Sequence, residues 1–169
     1  ATIALEGACT LLDVTSYQVP AFTFPATAHA VIRAQKHLKI VDIHESDWRI
    51  DSKWVEDPSS GIVTVSPFGA PPFRMSGADG TTEIVDAAAS LGAEPLDLTD
   101  LPTSAVVIFS VHATKAFGIG EGGIAVFGEV DMAKKFQTWL NFGFAGSRES
   151  QIVATNGKMS EIAAAYGLA

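Results

Sequence analysis

Apolar residues follow two patterns along the chain: short continuous runs, and residues spaced three or four apart. A continuous run of about four to eight residues, bounded by glycine, proline or polar residues, is typical of a buried strand. Spacing of three and four, as at Leu5, Ala8 and Leu12, lines up one apolar face of a helix. The runs predict strands over Tyr17–Phe22, Leu38–Ile43, Ile62–Ser66, Glu83–Ala88, Ala105–Val111 and Gly123–Phe127. The spacing predicts helices over Ala1–Leu12, Pro25–Ala34 and Ser160–Leu168, and a further helix that Asp131 caps, with Met132, Phe136, Trp139 and Leu140 on one face.

Several of the predicted strands are apolar at nearly every position rather than at alternate positions. This pattern is typical of a parallel sheet that is buried on both faces, as in α/β folds. The sequence therefore predicts an α/β protein with a mostly parallel sheet flanked by helices. A hydrophobic content of 47% with 18% charged residues excludes a disordered chain. The 169 residues suffice for a single domain with a real core, which we expect to span 1–169.

Charge and residue types exclude several classes of partner. The net charge of −8 argues against nucleic acid and against an anionic membrane surface. No apolar run reaches the roughly 18 residues of a membrane span, and no signal peptide is recognisable. The single cysteine, Cys9, excludes an intrachain disulfide and fits a reducing compartment, so we expect a cytoplasmic protein. His29, His37 and His44 lack metal-ligand spacing, and no metal site is predicted.

The segment Phe109–Gly123, FSVHATKAFGIGEGG, places Lys115 between two strand-like runs in small, apolar surroundings. A lysine in this position can act as a nucleophile towards carbonyl groups and form Schiff bases. Alternatively, its ammonium group could simply extend from the end of the strand to water. A hydrolase triad built on Ser110 and His112 is excluded, because the GxSxG turn is absent.

Three candidate polar residues share one predicted location, at or just after the end of a strand. They are Asp86, Ser110 and Lys115. Ligands of α/β proteins bind at the carboxyl ends of the strands. A pyridoxal phosphate site needs a lysine amine, a carboxylate facing the pyridine nitrogen, donors for the phosphate and a flat side chain against the ring. The chain offers these groups, with the aromatic run Phe22–Phe24 supplying the flat side chain.

Four segments, which occur in the family's order, resemble the DegT/DnrJ/StrS-type sugar aminotransferases, and the resemblance runs over nearly the whole chain. These are fold-type-I enzymes that depend on pyridoxal phosphate. The spacing of Ser110 and Lys115 followed by GEGG is the most specific feature. The segments are VPAFTFPATAHAV (Val19–Val31), VDAAASLGA (Val85–Ala93), FSVHATKAFGIGEGG (Phe109–Gly123), and NFGF (Asn141–Phe144) followed by TNGKMSEIAAAYGL (Thr155–Leu168).

The resemblance implies a role for each of the residues at the strand ends. Lys115 is expected to form the internal aldimine with pyridoxal phosphate and then to shuttle the proton. Asp86 is expected to pair with the pyridinium nitrogen, Ser110 to hold the phosphate, and Phe24 to stack on the pyridine ring. Each also has a structural interpretation: Asp86 could cap a helix, Ser110 could be a small strand residue, and Phe24 could belong to the core.

The resemblance further implies cofactor contacts at both ends of the chain. Thr2 looks like the end of the family's phosphate-binding turn, although it could be an ordinary first-turn residue. Asn156 and Lys158 occupy positions that reach into the neighbouring subunit's site, unless they form a solvated helix start. A homodimer with shared active sites is therefore expected. His112 and Glu121 are expected to have structural rather than catalytic roles.

The resemblance predicts transfer of an amino group from an amino-acid donor, with glutamate as the expected donor, to a nucleotide-linked keto sugar. The chain is shorter than family members, and we expect a partial large domain that lacks the small C-terminal domain. The alternative is a non-catalytic truncated domain that acts as a binding or assembly module. One position also departs from the family: Ala89 stands where many members carry glutamine or histidine near the ring.

Overall fold

The computed structural model describes residues 1–55, 57, 59–75, 80–93 and 97–169. The strands are β1 (Ser16–Pro20), β2 (His37–Val41), β3 (Gly61–Val65), β4 (Glu83–Asp86), β5 (Ala105–Ser110) and β6 (Gly123–Phe127). The helices are α1 (Thr2–Leu11), α2 (Pro25–Arg33), α3 (Val130–Leu140) and α4 (Glu161–Leu168), with short 3₁₀ turns at Ser52–Trp54 and Pro67–Gly69.

The strands form one sheet in the order β2-β1-β3-β4-β5-β6. Strands β1 to β5 pair in parallel, and β6 pairs antiparallel with β5. In this register Val65 lies opposite Asp86, and Asp86 lies opposite Ile108. The carboxyl ends of β3, β4 and β5 therefore meet at the same edge of the sheet. The predicted α/β fold with a mostly parallel sheet is confirmed.

Both faces of the central strands are buried, which accounts for their continuous apolar runs. On one face, Ile84 and Ile108 pack in a cluster with Leu5 of α1 and Val31 of α2. On the opposite face, neighbouring residues of the same strands, such as Val107, pack with Leu91 and Leu101 from the connecting segments. Helix α1 also contacts α3, where the missing side chain of Gly7 leaves room for Phe136 and Trp139.

Helix α3 begins differently from the prediction. Asp131 does not cap it; the N-cap position is Glu129, which makes no capping hydrogen bond through its side chain. Asp131 instead lies in the first turn, where its carboxylate accepts a hydrogen bond from Lys134 at 3.1 Å. A carboxylate in the first turn still favours the helix electrostatically. Within the described ranges, no helix combines the length and the apolar character needed to span a bilayer.

A buried ion pair ties the segment after β3 to the first residue of β4. The Glu83 carboxylate is fully buried and accepts hydrogen bonds from Nε of Arg74 at 3.1 Å, N–H of Met75 at 2.9 Å and the hydroxyl of Thr64 at 3.2 Å. Burial raises the pKa of Glu83, while these donors and the charge of Arg74 oppose the shift. The arrangement anchors the Arg74 segment against the sheet.

We expect Arg74→Met to lower the free energy of unfolding by about 1–3 kcal/mol at pH 7, because Glu83 then stays charged and buried without its cation. The pKa of Glu83 is already raised in the folded protein. The free-energy cost of its buried charge therefore grows as pH rises through that pKa. The loss should therefore shrink between pH 7 and pH 5, which urea unfolding at both values measures.

The matched control is Arg33→Met. Arg33 pairs with Glu6 at 2.8 Å, but 63% of the Arg33 side chain is exposed. Its removal should cost less than about 1 kcal/mol at either pH. Equal losses in the two variants, or a pH-independent loss in Arg74→Met, would show that Glu83 does not need Arg74.

Candidate functional site

A cavity of about 580 Å³ opens at the carboxyl edge of the sheet, beside the N-terminal end of α1. This volume is in the ordinary range for sites of small molecules and cofactors. Residues from distant parts of the chain line it, because strand ends and a helix start converge there. Of the residues predicted from the sequence, Thr2, Phe24, Asp86, Ser110 and Lys115 line this cavity.

Asp86 is the last residue of β4 and is only 6% exposed. Its Oδ2 accepts a hydrogen bond from the Thr27 hydroxyl at 2.7 Å, and its Oδ1 accepts one from the Ala88 N–H at 3.2 Å. Burial raises the pKa of the Asp86 carboxyl, whereas these hydrogen bonds and the charge of Lys115 oppose the shift. Among the described residues, no side chain forms a salt bridge with Asp86. The site therefore holds a buried carboxylate that a cationic ligand would stabilise.

Lys115 lies in the loop between β5 and β6, beyond the predicted strand end. The pairing of these two strands continues into the loop, where the Ala113 N–H donates to the Gly120 C=O at 2.7 Å. Within the loop, the Lys115 N–H donates to the His112 C=O at 2.8 Å. The Lys115 side chain is half-buried and lines the cavity. In the part of the chain that the structure describes, no residue accepts a hydrogen bond from its ammonium group.

The imidazole of His112 holds the loop that carries Lys115. Its Nδ1 lies 2.9 Å from the Thr114 hydroxyl, and its Nε2 lies 3.2 Å from the Glu121 carboxylate. These contacts join the two sides of the loop, and the structural roles that the sequence predicted for His112 and Glu121 stay a prediction. Both residues also line the cavity.

Thr2 and Ser110 lie where the start of α1 meets the end of β5. Thr2 is the first residue of α1, and the first turn of that helix contains no acidic residue. Unpaired N–H groups at such a helix start, together with the helix dipole, attract anions. The Ser110 Oγ accepts a hydrogen bond from the His112 N–H at 3.3 Å, which leaves its own hydroxyl hydrogen available. This corner of the cavity is suited to a phosphate group.

Aromatic rings form another part of the cavity wall. Phe24, directly before the first residue of α2, is 76% exposed. Phe22 and Phe68 also line the cavity, and their ring centroids lie 5.7 Å apart. Trp48 packs on both rings, with centroid distances of 5.3 Å to Phe22 and 5.2 Å to Phe68. Large apolar rings therefore remain accessible at the site instead of being buried in the core.

Asn156 and Lys158 lie outside this cavity. Asn156 forms an isolated bridge with Asn141, and Nζ of Lys158 donates a hydrogen bond to Oδ1 of Asn141 at 2.8 Å. The Lys158 ammonium group also lies 4.4 Å from the ring centroid of Phe142. The sequence assigned both residues to the site of a neighbouring subunit, and that assignment stays a prediction.

Two residues of the cavity region were not identified from the sequence. Thr27 lies within α2 and reaches Asp86 only because that helix packs over the sheet. Ser66 directly follows β3 and lines the cavity. Ser66 had the same signal as Asp86 and Ser110, a polar residue at the end of an apolar run, and could have been found by it.

The fold is that of an α/β protein with a cavity at the carboxyl edge of its sheet, the place where α/β proteins usually bind ligands. The family model of the DegT/DnrJ/EryC1/StrS aminotransferase family matches residues 1–169, and the chain belongs to this family.

Similarity to individual proteins agrees with this assignment. The chain is 33% identical over 177 residues to dTDP-4-amino-4,6-dideoxy-D-glucose transaminase of Shigella dysenteriae, covering 99% of the chain and 48% of that protein. A Bacillus cereus structure assigned as a PLP-dependent aminotransferase superposes with a TM-score of 0.87 at 30% identity, covering 99% of the chain and 50% of that protein. The structure of DesI, solved in the presence of its TDP-sugar product, superposes with a TM-score of 0.80 at 31% identity, covering 99% of the chain and 45% of DesI. The chain thus spans about half the length of the curated relatives it matches.

The family implies pyridoxal phosphate as cofactor, and the cavity fits this group. Asp86 is a buried carboxylate that has no cation in contact with it among the described residues, and a pyridinium would supply one. Lys115 provides an amine in the same cavity. The corner formed by Thr2 and Ser110 provides donors for a phosphate, and Phe24 provides a ring face. Each part of the cofactor therefore has a chemically suitable partner.

Proposed function

We propose that the chain is the cofactor-binding part of a pyridoxal-phosphate-dependent aminotransferase. It would transfer an amino group from an amino-acid donor, glutamate, to a keto sugar attached to a nucleotide. The observation that carries this proposal is the presence of Asp86 and Lys115 in one cavity, with the buried carboxylate lacking a salt-bridge partner among the described residues. The sugar and its nucleotide rest on the names of the relatives, which include dTDP-sugar and TDP-sugar proteins.

Asp86 is proposed to hold the pyridine nitrogen in its protonated form. Bound pyridoxal phosphate supplies an electron sink and carries the amino group between the two substrates. A cation close to Asp86 would lower the pKa of its carboxyl and keep it ionised, against the opposing effect of burial. Thr27 and Ala88 fix the carboxylate through both oxygens, so its direction is set before any ligand binds.

Lys115 is proposed to attach the cofactor through its amine and afterwards to move a proton at the substrate carbon. Both roles need an amine that no other group already holds. The described residues supply no hydrogen-bond partner for this amine, and the loop that carries it is fixed by backbone hydrogen bonds on both sides.

Thr2, Ser110 and the first N–H groups of α1 are proposed to hold the phosphate, and Phe24 to lie against the ring. Because the hydroxyls and the N–H groups come from a helix start and an adjacent strand end, they converge from two sides on one corner. The phosphate would thereby fix one end of the cofactor and Asp86 the other. Such two-point fixation orients the reacting group towards Lys115.

We further propose that the protein acts in the cytoplasm as a homodimer, in which Asn156 and Lys158 complete the partner's site. Their position outside the cavity of their own chain is compatible with this role. Size measurement by light scattering tests the dimer: a monomer at high protein concentration would remove the proposed role of both residues.

The experiment that tests the proposed function follows nitrogen directly. The protein, supplied with pyridoxal phosphate, is incubated with ¹⁵N-glutamate and a dTDP-linked 4-keto sugar, and the sugar is analysed by mass spectrometry. We expect ¹⁵N in the sugar and formation of 2-oxoglutarate in equal amounts. Cofactor binding without transfer to any nucleotide keto sugar would favour the alternative of a non-catalytic binding or assembly domain.

A further inference from the structure

The rings of Phe22, Trp48 and Phe68 form one cluster at the edge of the cavity, which we call the aromatic rim. Phe22 and Phe68 line the cavity, and Trp48 packs on both of them. Phe68 is 76% exposed, and large parts of Phe22 and Trp48 are exposed as well. A contiguous apolar patch that stays exposed is typical of a surface that binds a ligand or a partner.

The backbone holds two of these rings in an unfavourable conformation. Trp48 has a φ of 59° and Phe68 a φ of 52°, in the left-handed region that bulky residues rarely adopt. Both turns are closed by backbone hydrogen bonds, from the Trp48 N–H to the His44 C=O and from the Ala70 N–H to the Pro67 C=O, each at 2.9 Å. Strained residues of this kind concentrate where ligands bind. The strain therefore points to a function for the exposed rings.

Strand order separates the aromatic rim from the reacting groups. Lys115 follows β5, whereas Phe68 follows β3 and Phe22 follows β1. In the sheet, β3 is the second strand from β5 and β1 is the third. Because adjacent strands lie about 4.8 Å apart, β3 and β1 lie about 10 Å and about 14 Å from β5. The cavity thus has a polar half near β4 and β5 and an aromatic half near β3 and β1.

One part of the proposed substrate fits the aromatic half. The nucleotide keto sugar accepts nitrogen at its keto carbon, which has to come close to Lys115. Its base is separated from that carbon by the sugar ring, two phosphate groups and a ribose, and so lies several strand spacings away. The base is flat and uncharged, and bases stack on aromatic side chains. The donor glutamate, in contrast, has no ring that could stack.

We propose that the aromatic rim binds the base of the nucleotide, with Phe68 as the ring on which the base stacks and with Trp48 and Phe22 as its support. The inference rests on the proposed function, because it assigns a subsite to the same substrate. The centroid of Phe68 lies 5.7 Å from that of Phe22 and 5.2 Å from that of Trp48, with the ring planes tilted by 53° and 74°. Tilted contacts of this kind are favourable, and they leave most of the Phe68 ring open to a ligand.

The test measures binding to the protein loaded with pyridoxal phosphate, by titration calorimetry. The ligands are dTDP, the nucleotide in the name of one relative, and inorganic pyrophosphate, which lacks the base and the ribose. The variants are Phe68→Ala, Phe68→Leu and Phe68→Tyr. The control is Tyr166→Ala, which removes a ring of α4 that is 69% exposed and does not line the cavity. Light scattering measures the oligomeric state of each variant.

We expect Phe68→Ala to weaken binding of dTDP about 5- to 150-fold, the usual effect of removing a ring that stacks on a base, and to leave binding of pyrophosphate unchanged. Phe68→Leu should weaken dTDP to a similar extent, because leucine is apolar but has no flat face. Phe68→Tyr keeps the ring and should bind dTDP like the wild type, as should Tyr166→Ala. The oligomeric state should be the same in all of them.

Four results would overturn the inference. Unchanged binding of dTDP in Phe68→Ala would mean that the base does not contact this ring. Equal weakening of dTDP and pyrophosphate would mean that Phe68 acts on the phosphates or on the fold. Wild-type affinity in Phe68→Leu would mean that apolar contact suffices and that no stacking occurs. A change of oligomeric state in Phe68→Ala would mean that the aromatic rim packs against a second copy of the chain.

The wild-type protein separates the inference from the proposed function. Transfer of nitrogen to the nucleotide sugar without measurable binding of dTDP would overturn the inference alone. Absence of both nitrogen transfer and dTDP binding would overturn the proposed function, and the inference with it.

Discussion

Replacing Lys115 with alanine is expected to reduce amino transfer by at least about 10²–10⁴-fold, the usual contribution of a positioned acid–base group. The loss should exceed this range to the extent that attachment of the cofactor also fails. Lys115 lines the cavity together with Asp86. The rate of ¹⁵N transfer from glutamate to the sugar measures the effect.

Two further variants separate chemistry from charge and from non-specific effects. Lys115→Arg keeps a positive charge near Asp86, but a guanidinium group stays protonated and cannot replace the amine as a nucleophile. It should be as inactive as Lys115→Ala. Lys134→Ala removes a lysine from the exposed surface of α3, where its side chain is 70% exposed and pairs with Asp131, and should transfer nitrogen at the wild-type rate. Substantial activity in Lys115→Arg would mean that the residue contributes only charge.

Asp86→Asn is expected to change stability and cofactor binding in opposite directions. Asparagine has nearly the same shape and can still accept from the Ala88 N–H, but it removes a charge whose burial is costly. The cofactor-free protein should therefore be more stable than wild type at pH 7. Binding of pyridoxal phosphate should weaken by roughly 10- to 150-fold, because a hydrogen bond to a charged group contributes about 1.5–3 kcal/mol.

The stability gain of Asp86→Asn should depend on pH in a defined direction. The pKa of Asp86 is raised in the folded protein, so the stability that its proton contributes is complete below the unfolded pKa of about 3.9 and is lost as pH rises through the folded pKa. The difference between variant and wild type should thus be small near pH 4 and largest at neutral pH. Urea unfolding without cofactor at both pH values measures it.

The control for this prediction is Asp131→Asn, since Asp131 is a carboxylate whose side chain is 82% exposed. Its stability should change little and with no comparable dependence on pH. If Asp86→Asn destabilised the cofactor-free protein at pH 7, the buried carboxylate would be a structural requirement of the fold, and its role as the partner of a cationic ligand would lose its main support.

The strands could be predicted because most of them are buried on both faces. Within the run Ala105–Val111, every residue of β5 is buried. A short run that is apolar at nearly every position fits such a strand better than a helix with one apolar face. The direction of β6 was not contained in that pattern, since parallel and antiparallel strands can have the same residues. It follows from the loop that carries Lys115, in which Ala113 and Gly120 continue the hydrogen bonding of a hairpin.

The candidate site could be predicted in part, because strand ends of a parallel sheet converge at one edge. Asp86 and Ser110 follow apolar runs, and this position alone suggested that they meet. The contact of Thr27 with Asp86 joins residues 59 positions apart and depends on how α2 packs over β4, so no local pattern indicates it. Ser66 also follows an apolar run, but that its hydroxyl has no hydrogen-bond partner among the described residues is visible only in three dimensions.

The most direct test of the central proposal is to locate the cofactor on the chain. The protein is mixed with less than one equivalent of pyridoxal phosphate, reduced with borohydride and digested, and the peptides are analysed by mass spectrometry. We predict that the pyridoxyl group is found on Lys115 and that exposed lysines such as Lys134 stay unmodified. A label that is absent from Lys115, or that is shared between Lys115 and the exposed lysines in similar amounts, would contradict the proposal that this cavity binds pyridoxal phosphate.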